Sequence, residues 1–373
     1  MNAGNPAPAT HHNHPSCQPT SLNFVPHPTS PAASPIHAEL VAVLAAVTQG
    51  TPRVLTTADG QLLPAGPFEV GHRSLQAGLR AWVEEQTHHP LGYMEQLYTF
   101  ADGDRTDASG ARVISVSYLG LTRESADRSA GQAVWQDWYR YFPWEDWRSG
   151  EPALVRSHIA PRLHAWMAEA RGAQRALRRQ RADIAFGLDG GPWNEDMVLQ
   201  RYELLYEAGL VQEAAHRVHG AAAMLPGEAM HHDHRRILAT GMARLRAKIK
   251  YRPVVFELMP PEFTLLQLQQ TVEALAGRGL HKQNFRRLIE QQDLVEETGQ
   301  LTVGSAGRPA KLFRFRSDVL LERAIGGWRG MIDSGLPSLV FLLVYLLNGR
   351  VLQPALLAAL GTLAAAPVDL AAF

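Results

Sequence analysis

The chain has 373 residues, of which 46% are hydrophobic and 19% charged, so a packed core is expected and global disorder is excluded. Its 36 Lys and Arg residues balance 36 Asp and Glu residues, which excludes a chain that is basic throughout. The single cysteine, Cys17, excludes a disulfide framework and any metal site built from several cysteines. This cysteine usage, and an N-terminus without a basic patch followed by an apolar run, favour a cytoplasmic location.

The first two segments differ in their hydrophobic patterns. Residues 1–36 hold few large apolar side chains, which predicts a disordered tail because little surface can be buried there. Residues 37–123 predict an α/β or α+β domain in which strands surround a helix. The predicted elements are a helical pattern from His37, a strand from Arg53, a helix over 73–87, and strands over Tyr93–Phe100 and Arg112–Leu121.

Residues 124–243 hold six of the chain's eight tryptophans, between patterns typical of helices such as Ala165–Gln180. We expect a helical insert whose aromatic side chains form its core, since large rings are mostly buried. A role in stacking on a ligand stays open as the alternative for Tyr139, Tyr141 and Trp144.

The last segment, residues 319–373, is apolar, and between Ser334 and Phe373 only Arg350 and Asp369 are charged. The uncharged runs on either side of Arg350 are at the lower length limit for a membrane-spanning helix, and prolines interrupt both. A helical hairpin that packs between subunits is the leading interpretation of this tail. Membrane contact is the weaker alternative, and a translated reading-frame artefact is a third.

Residues 244–318 stand out by their charge and their helix signals. Residues 244–316 hold 13 Lys and Arg against seven Asp and Glu, a net charge of +6 in a chain whose total is zero. The predicted elements are a helix capped by Thr264, a tight turn at Gly277-Arg278-Gly279, and a second helix over His281–Gln291 with Phe285, Leu288 and Ile289 facing inward. A strand pair around the basic loop 304–309 completes a winged helix-turn-helix pattern.

The outer face of the second helix carries the side-chain types that bind DNA. Asn and Gln can read adenine edges, and Arg can read guanine or hold phosphate. The candidate DNA-binding residues on this face are Lys282, Asn284, Arg286 and Arg287. The alternative is a solvated helix pair whose charges only maintain solubility.

Residues 66–87 keep four of the seven fixed positions of the Nudix hydrolase box, namely Gly66, Arg80, Glu84 and Glu85. His72, Ala81 and Thr87 stand where the box has Glu, Glu and Gly. Three carboxylates on one helix face could hold divalent metal against a pyrophosphate, but Ala81 removes one of them. Glu84 and Glu85 would then need help from Glu69, Glu95 or phosphate oxygens to bind Mg²⁺. Residual metal binding and an ordinary Arg80–Glu84 ion pair both stay open.

Two parts of the chain resemble the Nudix-related transcriptional regulators of NAD metabolism. The resemblance covers about 37–123 and 246–316, and the insert and broken box are similar to the alphaproteobacterial branch. The stretches that carry it are Tyr93–Phe100, 102–105, Arg112–Leu121, Tyr251–Pro260, Phe263–Gln269, Asn284–Arg287 and Gly307–Phe315.

This resemblance implies an α+β fold with a Nudix-like α/β/α sandwich, a helical insert and a C-terminal winged helix-turn-helix. It implies a repressor that binds operator DNA as a homodimer and senses ADP-ribose or a related NAD-derived nucleotide. The implied ligand-phosphate contacts are Arg80 and Arg105, and the implied wing contacts are Arg308 and Lys311. No cofactor is required for this function; Mg²⁺ would enter only if Glu84 and Glu85 still bind metal.

The alternative function is an enzyme, a Nudix-type ADP-ribose pyrophosphatase that uses Glu84 and Glu85 with a divalent metal. The residues at positions 72 and 81 count against it. Separately, the cluster His231-His232-Asp233-His234 contains metal-ligand residue types, but we interpret it as a solvated linker.

Overall fold

A computed structural model describes residues 36–87, 91, 93–101, 106, 109–124, 133–217, 224–251, 254–292, 294–302 and 309–316. The predicted N-terminal tail, apart from Ile36, and the apolar tail 319–373 lie outside the described residues. So do Arg105 and Arg308, two of the predicted contact residues.

The first domain is built on a six-stranded mixed sheet in the order β4–β5–β1–β2–β6, with β3 also pairing with β1. Its strands are β1 (Ile36–Thr48), β2 (Thr51–Thr56), β3 (Ala65–Pro67), β4 (Tyr93–Phe100), β5 (Arg112–Leu121) and β6 (Val134–Asp137). Strand β1 runs parallel to β5 and antiparallel to β2 and β3, so it is the centre of the sheet.

The helical prediction from His37 is wrong, because this segment is the central strand β1. All residues from Leu40 to Ala46 are buried, since helices cover both faces of the sheet at this strand. A strand buried on both faces has a nearly continuous apolar sequence, in which helical spacing occurs by coincidence.

The described residues form seven α-helices, two of which sandwich the sheet. They are α1 (Leu75–Thr87), α2 (Ala160–Glu169), α3 (Gly172–Phe186), α4 (Val198–Glu207), α5 (His234–Tyr251), α6 (Leu265–Ala276) and α7 (Lys282–Gln291). Leu79 of α1 belongs to one core cluster with Leu40 of β1, whereas Met242 of α5 belongs to another with Val43. The predicted α+β fold with an α/β/α sandwich is therefore confirmed.

The sheet continues past the predicted boundary at residue 123, because β6 pairs with β2. After β6, a stretch of short 3-10 turns leads to helices α2, α3 and α4, and the predicted helix Ala165–Gln180 is two helices, α2 and α3. Tyr139, Tyr141 and Trp144 are each at most 6% exposed, as expected for core side chains, so their alternative role in stacking on a surface ligand is wrong.

The C-terminal domain consists of helices α6 and α7 followed by a hairpin of β7 (Val295–Leu301) and β8 (Lys311–Phe315). Phe263 exchanges two backbone hydrogen bonds with Phe313, at 2.9 and 2.8 Å, which ties the start of the domain to the hairpin. Phe285 and Ile289 are buried in its core as predicted, but Leu288 is 49% exposed, so its inward orientation is corrected.

Of the helices in the described ranges, none is both long and apolar enough to cross a membrane.

Candidate DNA-binding and sensor sites

Helix α6 is fixed at both ends by its own sequence. The Thr264 hydroxyl accepts a hydrogen bond from the Gln267 backbone N–H at 3.2 Å, and the Gln267 side chain accepts one from the Thr264 N–H at 2.8 Å. This capping box satisfies two N–H groups that would otherwise lack partners. At the other end Gly277 has φ of +72°, a left-handed conformation that ends the helix and favours glycine.

The turn between α6 and α7 is held by side chains of α6. Glu273 accepts a hydrogen bond from the Leu280 backbone N–H at 2.8 Å, and Gln269 donates to the Leu280 carbonyl at 3.0 Å. These bonds fix the short turn between the two helices, and two helices joined by a short turn are the pattern of helix-turn-helix proteins.

Helix α7 presents a group of polar and basic side chains to solvent. Lys282, Asn284, Arg286 and Arg287 are all exposed, while Phe285 between them is buried. The helix is anchored by its apolar side and leaves the predicted DNA-binding side chains free to reach a groove or a phosphate.

The wing differs from its prediction in one respect. Lys311 is exposed on β8, but its ammonium group pairs with the Glu297 carboxylate on β7 at 2.9 and 3.0 Å. Arg314 makes a similar cross-strand pair with Glu296 at 2.6 Å. The basic residues of the described hairpin are thus partly neutralised, and a DNA contact by Lys311 would have to compete with Glu297.

In the sandwich domain, the predicted box residues surround the contact between α1 and β3. A Cβ atom at Gly66 would collide with the Trp82 ring, so glycine permits the indole to lie against β3. Trp82 donates from its ring nitrogen to the Pro67 carbonyl at 2.7 Å, and the Gln86 amide donates to the Ala65 carbonyl at 2.6 Å. This side of α1 is therefore committed to packing.

The remaining carboxylates are poorly placed for a metal site. Glu84 and Glu85 are exposed on α1, but Glu95 is on the opposite face of the sheet, where it pairs with Lys248 of α5 and accepts a hydrogen bond from Tyr93 at 2.6 Å. Glu95 as a helper ligand is therefore wrong. Among the described residues, no group of three or more His, Cys, Asp or Glu side chains could hold a metal ion. Metal binding by Glu84 and Glu85 together with phosphate oxygens stays a prediction.

Arg80, the predicted phosphate contact, is half-buried on α1 and donates a hydrogen bond to the Leu91 carbonyl at 2.5 Å. This bond ties α1 to the chain just before β4. A ligand phosphate would have to share the guanidinium with this backbone oxygen.

The histidine cluster is neither a metal site nor a solvated linker. His234 begins α5, is 2% exposed, and accepts a hydrogen bond at Nδ1 from the Leu63 backbone N–H at 2.8 Å. His231 is exposed and its Nε2 lies 2.7 Å from the Gln61 side-chain oxygen. The cluster attaches α5 to the loop after β2, so the linker prediction is wrong.

Comparison with known proteins identifies the C-terminal domain. Residues 255–315 match the family model described as the NrtR DNA-binding winged helix domain. This segment therefore resembles the DNA-binding winged helix of the NrtR family. The match confirms the resemblance to NAD-metabolism regulators predicted from the sequence, and it coincides with α6, α7, β7 and β8.

One curated relative is the "ADPR responsive transcriptional repressor NtrR" of Acinetobacter baylyi, 42% identical over 83 residues, which are 22% of this chain and 33% of the relative. The chain thus matches about a third of that relative's length. Two solved structures are similar to this chain. One is Shewanella oneidensis NrtR in complex with a 27mer DNA, and the other is a MutT/nudix family protein from Enterococcus faecalis. The first has 21% identity, covers 76% of this chain and 94% of its own, and has a TM-score of 0.44. The second has 15% identity, covers 78% and 90%, and has a TM-score of 0.42.

The NrtR-type winged helix is attached to the rest of the molecule through a buried ion cluster that the sequence does not reveal. Glu145 is fully buried and binds Arg201 at 2.5 and 2.8 Å and Arg246 at 2.6 Å. Arg246 also donates to the Leu275 carbonyl at the end of α6, at 3.0 Å. Arginine is mostly exposed in proteins, so only the three-dimensional arrangement identifies these two as core residues.

The electrostatics of this cluster favour its charged form. Burial by itself raises the pKa of Glu145, but the positive charges of Arg201 and Arg246 outweigh it and hold the pKa below its ordinary value. For Arg246 burial acts in the opposite direction and lowers the pKa. The negative charge of Glu145 outweighs this effect, so the pKa of Arg246 is raised above its ordinary value. Glu145 and Arg246 therefore stay ionised at neutral pH.

Proposed function

We propose that this protein is a ligand-responsive DNA-binding repressor of NAD-metabolism genes whose sandwich domain senses ADP-ribose or a related NAD-derived nucleotide. The observation that carries the proposal is the NrtR-type winged helix with the exposed polar and basic face of α7. The curated relative, which shares 42% identity over its matched part, is named as an ADPR-responsive repressor. We further propose that the protein acts as a homodimer in the cytoplasm, since helix-turn-helix proteins read paired half-sites.

The sandwich domain supports sensing better than catalysis. Hydrolysis of a pyrophosphate needs carboxylates that hold metal ions against the phosphates and prepare a water for attack. Here position 81 is alanine, and Glu95 is paired with Lys248 on the other face of the sheet. Binding without bond cleavage needs no metal, so we propose that no cofactor is required.

The test compares binding of the full chain to DNA from upstream of NAD-biosynthesis genes with binding to random DNA, at one fixed salt concentration. Salt must be fixed because phosphate contacts make affinity strongly salt-dependent. We expect tighter binding to the upstream DNA in EDTA as well as in Mg²⁺. Equal affinity for both DNAs, together with release of AMP from ADP-ribose in Mg²⁺ or Mn²⁺, would contradict the regulator and favour the hydrolase.

A further inference from the structure

The segment from Trp138 to Gly150, which we call the connecting segment, contacts both the sheet and the winged helix. It follows β6 and forms two short 3-10 turns, at Trp138–Arg140 and Pro143–Glu145. The segment is too short to have a hydrophobic core of its own, so its neighbours hold its conformation. Besides the sheet and the winged helix, these neighbours include α4 and α5, through Arg201, Arg235 and Arg246.

On the winged-helix side, the contacts converge on the end of α6. The Tyr139 hydroxyl donates to the Ala274 carbonyl at 2.7 Å, and the Trp147 backbone N–H donates to the Gly277 carbonyl at 2.6 Å. A Cβ atom at Gly277 would collide with the Glu145 carbonyl oxygen, so the two backbones touch. The helix that precedes the recognition helix is thus bonded directly to the connecting segment.

On the sheet side, the contacts reach two turns of the sandwich domain. Arg148 donates from Nη1 to the Gly50 carbonyl, in the turn between β1 and β2, at 2.6 Å. The same guanidinium forms a two-pronged pair with Asp146, with both distances 2.8 Å. The Tyr141 hydroxyl donates to the Gly60 carbonyl at 2.6 Å. The turn that follows the central strand β1 is therefore connected to the end of α6 by hydrogen bonds from three consecutive residues, 146–148.

We propose that Arg148 is a positioning residue that couples the β1–β2 turn to the winged helix, so that a change on one side is transmitted to the other. The proposed route is a contiguous chain of contacts in a packed region, where a shift on one side can strain the other. Its use as the route from the ligand to the operator rests on the function proposed above. In this proposal Arg148 acts through its hydrogen bond to the Gly50 carbonyl and through its chain neighbour Trp147, which is bonded to Gly277.

The test measures amide hydrogen exchange at residues 49–51 with and without a DNA duplex, at low salt so that non-specific binding suffices. In the wild-type chain we expect DNA binding to change exchange at this turn. In Arg148→Ala the change should be lost. In the matched control Arg140→Ala it should persist, since Arg140 lies in the same segment but pairs with Gln136 and Glu228.

A second variant guards against a folding defect. Arg148→Lys keeps the positive charge, but a single ammonium group cannot reproduce the fork that spans Asp146 and Gly50, so it should also lose the change. The proposal is overturned if DNA leaves exchange at the turn unchanged in the wild type, or if the change persists in both Arg148 variants.

A separate arm links this inference to the proposed function. In the wild type, ADP-ribose should weaken DNA binding by about 5- to 150-fold, a common range for allosteric coupling, and Arg148→Ala should reduce that factor. A wild type that ignores ADP-ribose contradicts the proposed effector but leaves the exchange result to decide on Arg148. A full ADP-ribose response in Arg148→Ala contradicts the transmission role alone.

Discussion

Glu145 is the residue on which the attachment of the winged helix depends most. Its carboxylate bonds two fully buried arginines, and one of these, Arg246, also holds the carbonyl at the end of α6. Taking such charges out of water is costly, so the cluster contributes little net stability compared with an apolar core. Removing one partner has a larger effect because the other charges are left buried without compensation.

Glu145→Gln should therefore lower the free energy of unfolding by about 3–5 kcal/mol at neutral pH. Urea denaturation followed by circular dichroism measures the change. The matched control is Glu297→Gln, which breaks the exposed pair with Lys311 and should cost less than about 1 kcal/mol. Equal losses in the two variants would contradict the buried-cluster account.

The same carboxylate predicts a pH dependence. The folded pKa of Glu145 lies below its ordinary value of 4.5, so its contribution to stability is complete above the unfolded pKa. That contribution is lost as the pH falls through the folded pKa, when the buried carboxylate takes up a proton. Denaturation between about pH 7 and pH 3 should therefore show the gap between wild type and Glu145→Gln closing toward acid. A gap that stays constant over this range would mean that Glu145 is not ionised in the folded protein.

At the scale of elements, α6 and β1 show what sequence reasoning can and cannot recover. The Thr264 cap and the Gly277 end of α6 are local signals, because each depends on residues within one turn, and both are confirmed. Strand β1 depends on β5, whose residues follow about 75 positions later, and on helices that cover both of its faces. Nothing within its own apolar sequence distinguishes it from a buried helix.

The candidate site also has one part that is predictable from the sequence and one part that is not. The exposed face of α7 follows from helical periodicity and is found from sequence, whereas the cluster of Glu145, Arg201 and Arg246 joins residues 56 and 101 positions apart. Such a pairing leaves no periodic trace. The same limit applies to Glu95, one of the possible helper ligands predicted for Glu84 and Glu85, because its partner Lys248 is 153 residues away along the chain.

The end of α6 gives a prediction at this scale. Gly277→Ala should destabilise the protein by at least about 1–2 kcal/mol, because alanine is strained in the left-handed conformation and its Cβ would also meet the Glu145 backbone. Gly279→Ala is the matched control, since its Cβ would make only an ordinary contact with the Arg148 carbonyl oxygen at 3.4 Å. Thermal unfolding of both variants measures the difference. A Gly277→Ala protein as stable as Gly279→Ala would show that α6 does not need this close contact.

The recognition helix α7 gives another testable prediction. Arg286→Ala should weaken specific DNA binding by about 1–3 kcal/mol if the side chain reads a base. If it instead contacts phosphate, binding should weaken equally on all sequences and the salt slope should fall by about one. Fluorescence anisotropy at several salt concentrations distinguishes these cases. The control substitution is Arg171→Ala, at an exposed arginine at the start of α3. No loss in Arg286→Ala would remove this residue from the interface.

At the scale of the whole molecule, a chain with no net charge concentrates +6 in its C-terminal 244–316 segment. Residues 255–315 themselves hold seven Lys and Arg and seven Asp and Glu. Their attraction to DNA in the proposed function therefore depends on placement, with Lys282, Arg286 and Arg287 exposed together on α7. The sandwich domain supplies a sheet whose central strand is joined to the winged helix through the connecting segment. A ligand that binds the sandwich domain more tightly in one arrangement of the two domains can shift DNA binding only by that difference in affinity.

The most direct test of this account is the dissociation constant of the wild-type protein for upstream DNA, measured with and without saturating ADP-ribose at one salt concentration. The account predicts specific binding that ADP-ribose weakens by about 5- to 150-fold. Specific binding with the same dissociation constant in both conditions would contradict ADP-ribose as the effector. Binding no tighter than to random DNA would contradict the regulator itself.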